Sequence, residues 1–389
     1  FLWTEQKSNW RTILFLSLAA GLAFATKTTA FAFLIPFAIA TPVLLLRKTN
    51  LKELLKLVAL AVLVVGLVNA GYVSRNVQTY GTPFDPEHSS RFGNELLNWR
   101  GLVSTTLRTA FFQLQTPWDG MNLQLMRLVV GIHFKMGMDV NDPRTTVIGE
   151  FSIGNPTTHE DITTNPLHAL LILVTVPISL FTIKRTGRRA FIYFLLVLIS
   201  FVTFSFVFKW QIFASRLLLP FFLLAAPAFG VYFGAILPTW AAVAVSVGLV
   251  ASSFMWLISL YPRPLIPLPG KTEWPSVLTA SREQMYFASM PSAYEPMKSV
   301  TTLILESRCR DVGMAISGAG AEYPYWVLLG APRDDLRIEW IVAGTPSAQY
   351  SDPDFQPCAV ICDTCGDEQH FRELTLLTQF RGINLYIRR

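Results

Sequence analysis

Apolar residues along this chain gather into long runs, and the polar residues gather between them. Five runs have the length and character of membrane helices: residues 30–46, 57–73, 167–183, 190–208 and 217–237. A sixth, 240–260, fits as well. Each approaches the roughly 20 apolar residues that a bilayer core requires. A seventh, 12–26, is shorter and carries Gly21, and only a short Thr/Lys punctuation separates it from the next. A single soluble core has no need of so many uncharged stretches of this length. The pattern predicts an α-helical polytopic membrane protein with about seven spans over 1–260. A proline-rich linker over 261–270 and a small extramembrane α/β domain over 271–389 follow.

Basic residues then set the orientation. Lys7 and Arg11 precede the first run. Arg47, Lys48, Lys52 and Lys56 separate the second from the third, and Lys184, Arg185, Arg188 and Arg189 separate the fourth from the fifth. With seven spans these connections share one side, and the positive-inside rule makes that side cytoplasmic. Residues 74–165 and the tail from 261 then fall outside the cytoplasm, on the external face. Composition agrees: of 389 residues, 52% are hydrophobic and only 15% charged, against about 25% charged in soluble domains. The mean hydropathy of +0.41 excludes disorder and argues against a soluble enzyme. The net charge of +6 is then mostly an orientation signal, and no nucleic-acid partner is expected. The chain starts at Phe1 with no signal peptide in its first dozen residues, so it reads as a piece of a longer membrane protein.

The two external regions have their own patterns. Residues 95–115 place Leu96, Val103, Leu107, Phe111 and Leu114 near one helical face, with Arg100 and Arg108 away from it. Residues 121–134 form a second amphipathic stretch. Both fit helices lying at the membrane surface, with Trp99 and Trp118 at interface depth, and equally fit packed helices of an external cap. In the tail, helices are predicted over 293–306 and 322–329, and strands over 311–317, 336–342, 358–362 and 383–387, a doubly wound pattern. Gly318 and Gly320 follow the first strand, where a tight turn explains them better than a ligand loop. Cys309, Cys358, Cys362 and Cys365 all lie in this tail. Structural disulfides, a metal site with His370, a redox dithiol at Cys362-x2-Cys365 and unpaired thiols are the alternatives.

Ionisable residues at the external ends of the runs are the best chemical clue, because such groups are costly in lipid and usually face a cavity or the interface. They are Lys27; Ser74-Arg75-Asn76; His159-Glu160-Asp161 with Asn165 and His168; Lys209-Trp210-Gln211; and Ser215-Arg216. Cations there suit a lipid phosphate, and carboxylates suit sugar orientation or base chemistry. Snorkelling or helix capping explains any one of them taken singly.

Residues 21–30, GLAFATKTTA, resemble the "GLAxxTK" helix turn of the GT-C membrane glycosyltransferases. Ser74-Arg75-Asn76 with Tyr80-Gly81-Thr82-Pro83-Phe84 resembles their "RNxxxxGNPF" element, with Thr82 where Asn is common. Glu160-Asp161 with Asn165-Pro166-Leu167-His168, and Lys209-Trp210-Gln211 with Ser215-Arg216-Leu217 and Pro220, look like pieces of bacterial members. Those members are similar to the protein O-mannosyltransferase and lipid A aminoarabinose transferase group. The resemblance spans about residues 10–240.

The resemblance implies an enzyme that moves a sugar, with inversion, from a polyprenyl-phosphate donor to a saccharide, lipid or protein acceptor on the external face. It places Lys27, Arg75, Asn76 and Arg216 at the donor phosphate. It makes Glu160, Asp161, His168 and Gln211 candidates for orienting the sugar or the acceptor. Metal dependence varies among the GT-C enzymes, so no metal and no cofactor is inferred. The family's catalytic Asp follows its first membrane helix, and the first run here resembles a middle helix, so that Asp is expected upstream of Phe1. A transporter or flippase for a lipid-linked saccharide, and a non-catalytic membrane scaffold, are the competing classes.

Overall fold

The computed structural model describes residues 10–46, 49–269, 276–317, 320–341 and 345–388. Lys7, Arg47, Lys48, Gly318 and residue 270 of the predicted linker lie outside the described residues. The chain divides into two compact units, Phe1–Phe254 and Met255–Arg389.

The first unit is helical. It contains α1 (Trp10–Thr26), α2 (Ala30–Leu46), α3 (Leu51–Tyr80), α4 (Pro86–Phe92), α5 (Trp99–Phe112), α6 (Asp119–Lys135) and the short strand β1 (Thr146–Ile148). Then come α7 (Pro166–Phe181), α8 (Ile183–Thr186), α9 (Arg188–Val207), β2 (Trp210–Gln211), α10 (Ala214–Leu217), α11 (Leu219–Ile236) and α12 (Thr239–Ser259), whose end crosses into the second unit. Among the described residues, α3, α9, α11 and α12 are long and apolar enough to cross a membrane. The other three predicted spans, α1, α2 and α7, are apolar but only 16 or 17 residues long. At about 1.5 Å per residue they reach about 25 Å, short of a hydrocarbon core of about 30 Å. Four long apolar helices, not seven, are therefore what length supports. Phe15, Ile39, Leu63, Leu67, Phe181 and Trp240 point outward, exposed. Apolar surface on this scale fits a lipid environment rather than water.

Small and polar residues hold the helices together, as they do where lipid removes the hydrophobic drive for association. Gly21 lets α1 close on α3, because a Cβ there would meet Val68 at 3.2 Å. Asn69 then donates to the Gly21 carbonyl at 3.1 Å. Helices α2 and α9 meet through stacked Phe33 and Phe204, 4.9 Å apart, and through Ser200 Oγ donating to the Phe33 carbonyl. Tyr193 OH reaches the Leu224 carbonyl on α11 at 2.7 Å.

Several boundaries differ from the apolar pattern. Helix α3 starts at Leu51, capped by Asn50, so Lys52 and Lys56 sit on its first turns rather than in a loop. It also runs on through Ser74-Arg75-Asn76 to Tyr80, where Gly81 at φ +72° ends it. Local helical hydrogen bonding outlasts the apolar run because nothing before Gly81 breaks it. The run at 217–237 is broken at Leu218, which separates α10 from α11.

The second unit contains α13 (Arg282–Tyr286), α14 (Tyr294–Glu306), β3 (Asp311–Ala315), α15 (Tyr323–Leu328), β4 (Arg337–Trp340), β5 (Ala359–Cys362), β6 (His370–Phe371), β7 (Leu374–Phe380) and β8 (Ile383–Ile387). Its sheet has the order β4-β3-β5-β8-β7-β6, with the first three strands parallel and the rest antiparallel. Val312 and Met314 pack with Val300 and Ile304 of α14 on one face, while Ala315, Val360 and Tyr386 pack with Phe355 on the other. The doubly wound expectation fails here. Among the described residues, the link from β4 to β5 contains a 3-10 turn and no α-helix, and a loop carrying Phe355 covers the second face. Two disulfides use all four cysteines: Cys309–Cys358 joins the starts of β3 and β5, and Cys362–Cys365 closes the turn after β5. The metal and unpaired-thiol alternatives fall with this pairing.

Candidate functional site

Three chain segments of the first unit converge beyond the ends of its apolar helices. Lys27 sits in the turn between α1 and α2, its amide bonded to the Ala23 carbonyl. Asp161 lies in the turn before α7, where its amide donates to His159 Nδ1 at 3.1 Å. Arg216 lies on α10, and its Nη1 donates to Asp161 Oδ1 at 2.7 Å. The Phe213 ring, 5.1 Å from the Arg216 guanidinium carbon, supports its flat face.

Lys27 belongs electrostatically to the same cluster. Although its side chain is largely exposed, partial desolvation lowers its pKa from the ordinary 10.5, Arg216 lowers it further, and Asp161 opposes both. Lys27 and Arg216 thus place two cations around the Asp161 carboxylate. An arriving anion would relieve the repulsion between Lys27 and Arg216.

Gln113, at the C-terminal cap of α5, ties two of these segments together. Its Nε2 donates to Ser215 Oγ at 2.8 Å, beside Arg216. Its Oε1 accepts from the Asn165 amide at 3.1 Å, four residues beyond Asp161. Gln113 is only 2% exposed. Sequence reading overlooked it, because a glutamine at the end of an amphipathic helix looks like a solvated residue. The only available signal was its place next to the predicted end of that helix.

Of the other candidates, Glu160 adjoins Asp161, and Arg75 and Asn76 lie at the same end of the α1–α3 pair as Lys27, since Gly21 sits beside Val68 and Phe24 beside Tyr72. Arg75 is exposed and its Nε donates to Gly71 O in its own helix at 3.3 Å. Asn76 Nδ2 donates to Pro83 O at 2.8 Å and folds the Gly81–Phe84 turn back onto α3. Half-buried His168 stands edge-on to Phe222 at 5.8 Å, and Glu160 is half-buried in the turn beside Asp161.

Lys209 and Gln211 are part of a packed cap. The chain at 207–212 threads between two others. Lys209 N donates to Phe92 O, Trp210 N to Thr145 O and Ile212 N to Ile148 O, while Asn94 N donates to Val207 O. The Lys209 ammonium, 8% exposed, pairs with Glu95 instead of facing the Arg216 cluster. Gln211 is buried in the β1–β2 pairing.

The centre of the cap is Arg108. All five of its N–H donors are used, to Ser104 O, Val140 O, Thr146 Oγ1, Thr145 O and Thr145 Oγ1. Trp210 covers the guanidinium at 5.7 Å. Arg108 lies, as expected, away from the Val103, Leu107 and Phe111 face of α5, and it is the Arg108 side that is buried. The buried residues of α5 are Gly101, Ser104, Thr105, Arg108, Thr109 and Phe112, so the polar side faces inward. Hydrogen bonding outweighs apolar burial at this helix. The packed-cap alternative fits this arrangement, with Phe112, Val129, Phe151, Ile153 and Trp210 as its apolar core.

Among the described residues, no group of three or more His, Cys, Asp or Glu side chains is placed to hold a metal ion. No family model matches the chain, and neither a curated protein nor a solved structure matches it at a significant level.

Proposed function

We propose that this chain belongs to a membrane glycosyltransferase that takes a sugar from a polyprenyl-phosphate donor and passes it to an acceptor outside the cytoplasm. The observation that carries this reading is the cluster of Lys27, Asp161 and Arg216 beyond the ends of apolar helices. A polyprenyl donor is confined to the bilayer, so its phosphate sits where these helices end. As the bond from the anomeric carbon to the phosphate oxygen breaks, negative charge grows on the leaving phosphate. Cations fixed nearby stabilise that charge. Arg216 offers the planar donor array and Lys27 the point charge. Asp161 serves as the hinge that aims Arg216.

In this reading α1, α2 and α7 join the four longer helices as spans, the membrane is a bacterial inner membrane, and the cap faces the periplasm. The seven-span arrangement also keeps the Lys27, Asp161 and Arg216 turns on one membrane face. The motif likeness to GT-C enzymes points the same way, with donor-side residues before the cap and Arg216 after it.

The test uses the full-length protein in proteoliposomes with a labelled polyprenyl-phosphate sugar. Release of free polyprenyl phosphate that depends on acceptor supports transfer. Movement of the intact donor across the bilayer, with no release, indicates a flippase. Neither release nor movement indicates a scaffold.

A further inference from the structure

The second unit carries a cleft that the proposed transfer does not use. It has a volume of about 500 Å3, and its lining includes Arg282, Glu283, Tyr323, Trp326, Ala331 and Pro332. That volume lies within the range of small-molecule sites, about 300–1,000 Å3.

Its walls are held in place by local bonding. A capping box between Ser281 and Gln284 starts α13, which carries Arg282 and Glu283. Gly330 at φ +75° ends the turn after α15, and Ala331 N donates back to Trp326 O at 2.9 Å. The Trp326 indole N–H donates to Glu322 Oε1 at 3.0 Å. Tyr323 is edge-on to Tyr286 at 5.4 Å, and Tyr286 OH accepts from Arg282 Nε at 3.0 Å. Glu283 Oε1 accepts from Tyr294 OH at 2.7 Å and pairs with Lys298 at 3.1 Å. The rings and the carboxylate are therefore oriented before any ligand arrives, which cuts the entropy cost of binding.

We propose that this cleft binds a saccharide, with the Trp326 and Tyr323 rings against the C–H face of a sugar and the Arg282–Glu283 wall hydrogen-bonding its hydroxyls. A sugar ring is apolar on its faces and polar around its rim. A cleft with aromatic rings on one wall and a guanidinium and a carboxylate on another matches that division. Tyr323 is 57% exposed, so its ring is available to a ligand. A proline-rich peptide would use the aromatic wall, but its backbone brings only carbonyl acceptors and adds no donor for the Glu283 carboxylate, whereas sugar hydroxyls can donate to it. The inference stands apart from the transfer reading, because it concerns binding at a separate place.

The test measures binding of the full chain, in nanodiscs free of glycoside detergent, to an array of labelled α- and β-linked oligosaccharides. At least one glycan class binds, and Trp326→Ala and Tyr323→Ala each weaken it at least 10-fold. Trp326→Phe and Tyr323→Phe keep most of the binding, and octaproline does not compete. If Trp326→Ala fails to fold, the exposed Tyr323 decides the matter. The proposal is overturned if the wild type binds no glycan, if the alanine variants bind as well as the wild type, or if octaproline binds in place of a glycan. No donor lipid is present, so the outcome is independent of turnover.

Discussion

The cap around Arg108 and the cluster around Arg216 use a guanidinium in opposite ways. Arg108 is fully buried, and the fold satisfies each of its five donors with carbonyls and threonine hydroxyls. Burial pulls its pKa down to about 10, so it remains a cation at neutral pH. Arg216 has a side chain 48% exposed, one carboxylate partner and a second cation nearby. The first arrangement leaves nothing for a ligand. The second leaves a half-exposed guanidinium with one acceptor among the described residues, so charge alone does not mark a binding residue. What separates the two is whether the fold has already used the donors.

The sharpest way to break the comparison is to remove Arg108. Arg108→Met orphans several buried acceptors at once and costs about 3 kcal/mol or more. Thermal melting of the protein in nanodiscs measures it, and a loss under about 1 kcal/mol would show that the cap does not depend on this residue. Arg108→Lys recovers only part of the loss, because an ammonium has three donors at one point rather than five in a fork.

Arg216→Ala should have the opposite profile. Donor turnover falls about 100-fold, the scale of removing one preorganised donor from a developing oxyanion. Melting barely moves, because a half-exposed ion pair stabilises by at most about 1 kcal/mol. Arg216→Lys keeps the charge and part of the activity. Unchanged turnover in Arg216→Ala would remove the phosphate role and leave the residue as a surface ion pair.

Gln113→Leu falls between these two. Removing the strut costs about 1–2 kcal/mol and lets the Asp161 and Arg216 turns separate. The donor KM should rise about 10-fold with a smaller change in kcat, since the phosphate contacts loosen while the chemistry is untouched. A change in melting with no change in KM would make Gln113 purely structural.

How much of this was legible in the sequence follows from the physics of each feature. The long apolar helices were visible because lipid demands an uninterrupted run. The charged pairs at helix ends were visible because ionisable groups are rare there. Helix α5 was legible only in part: periodicity separates its apolar and polar sides but does not say that the side with Ser104, Thr105, Arg108 and Thr109 is the buried one. Arg108 finds four of its five acceptors 32 to 38 residues away, which no local pattern encodes. Lys209 looked like a membrane-edge cation until its partner, Glu95, was found 114 positions earlier. In the second unit the parallel strands β3, β4 and β5 were legible as short apolar runs. The partly buried β7 and the two-residue β6 were not, because their polar positions read as loop.

The gentlest prediction asks whether the field of Arg108 extends through the cap as that of Arg216 extends to Lys27. His133 on α6 lies in this field. Its Nδ1 donates to Val129 O at 2.8 Å, so the neutral ring accepts from Ser104 Oγ through Nε2, also at 2.8 Å. Burial lowers its pKa below the ordinary 6.5 and Arg108 adds to the shift, while the Val129 carbonyl and Asp139 oppose it. The unfolded chain therefore takes up a proton near pH 6.5 that the folded cap refuses, so unfolding gains ground as the pH falls below that value. The stability His133 contributes is fully present above pH 6.5 and is lost on the way down, by at most about 1.4 kcal/mol per pH unit. Melting curves from pH 7.5 to 5 measure this slope. His133→Gln keeps a donor and an acceptor without a titrating ring and should flatten the slope relative to wild type. The remaining histidines are shared by both proteins, so an equal slope in the two would mean that neither burial nor Arg108 shifts the titration of His133 on folding.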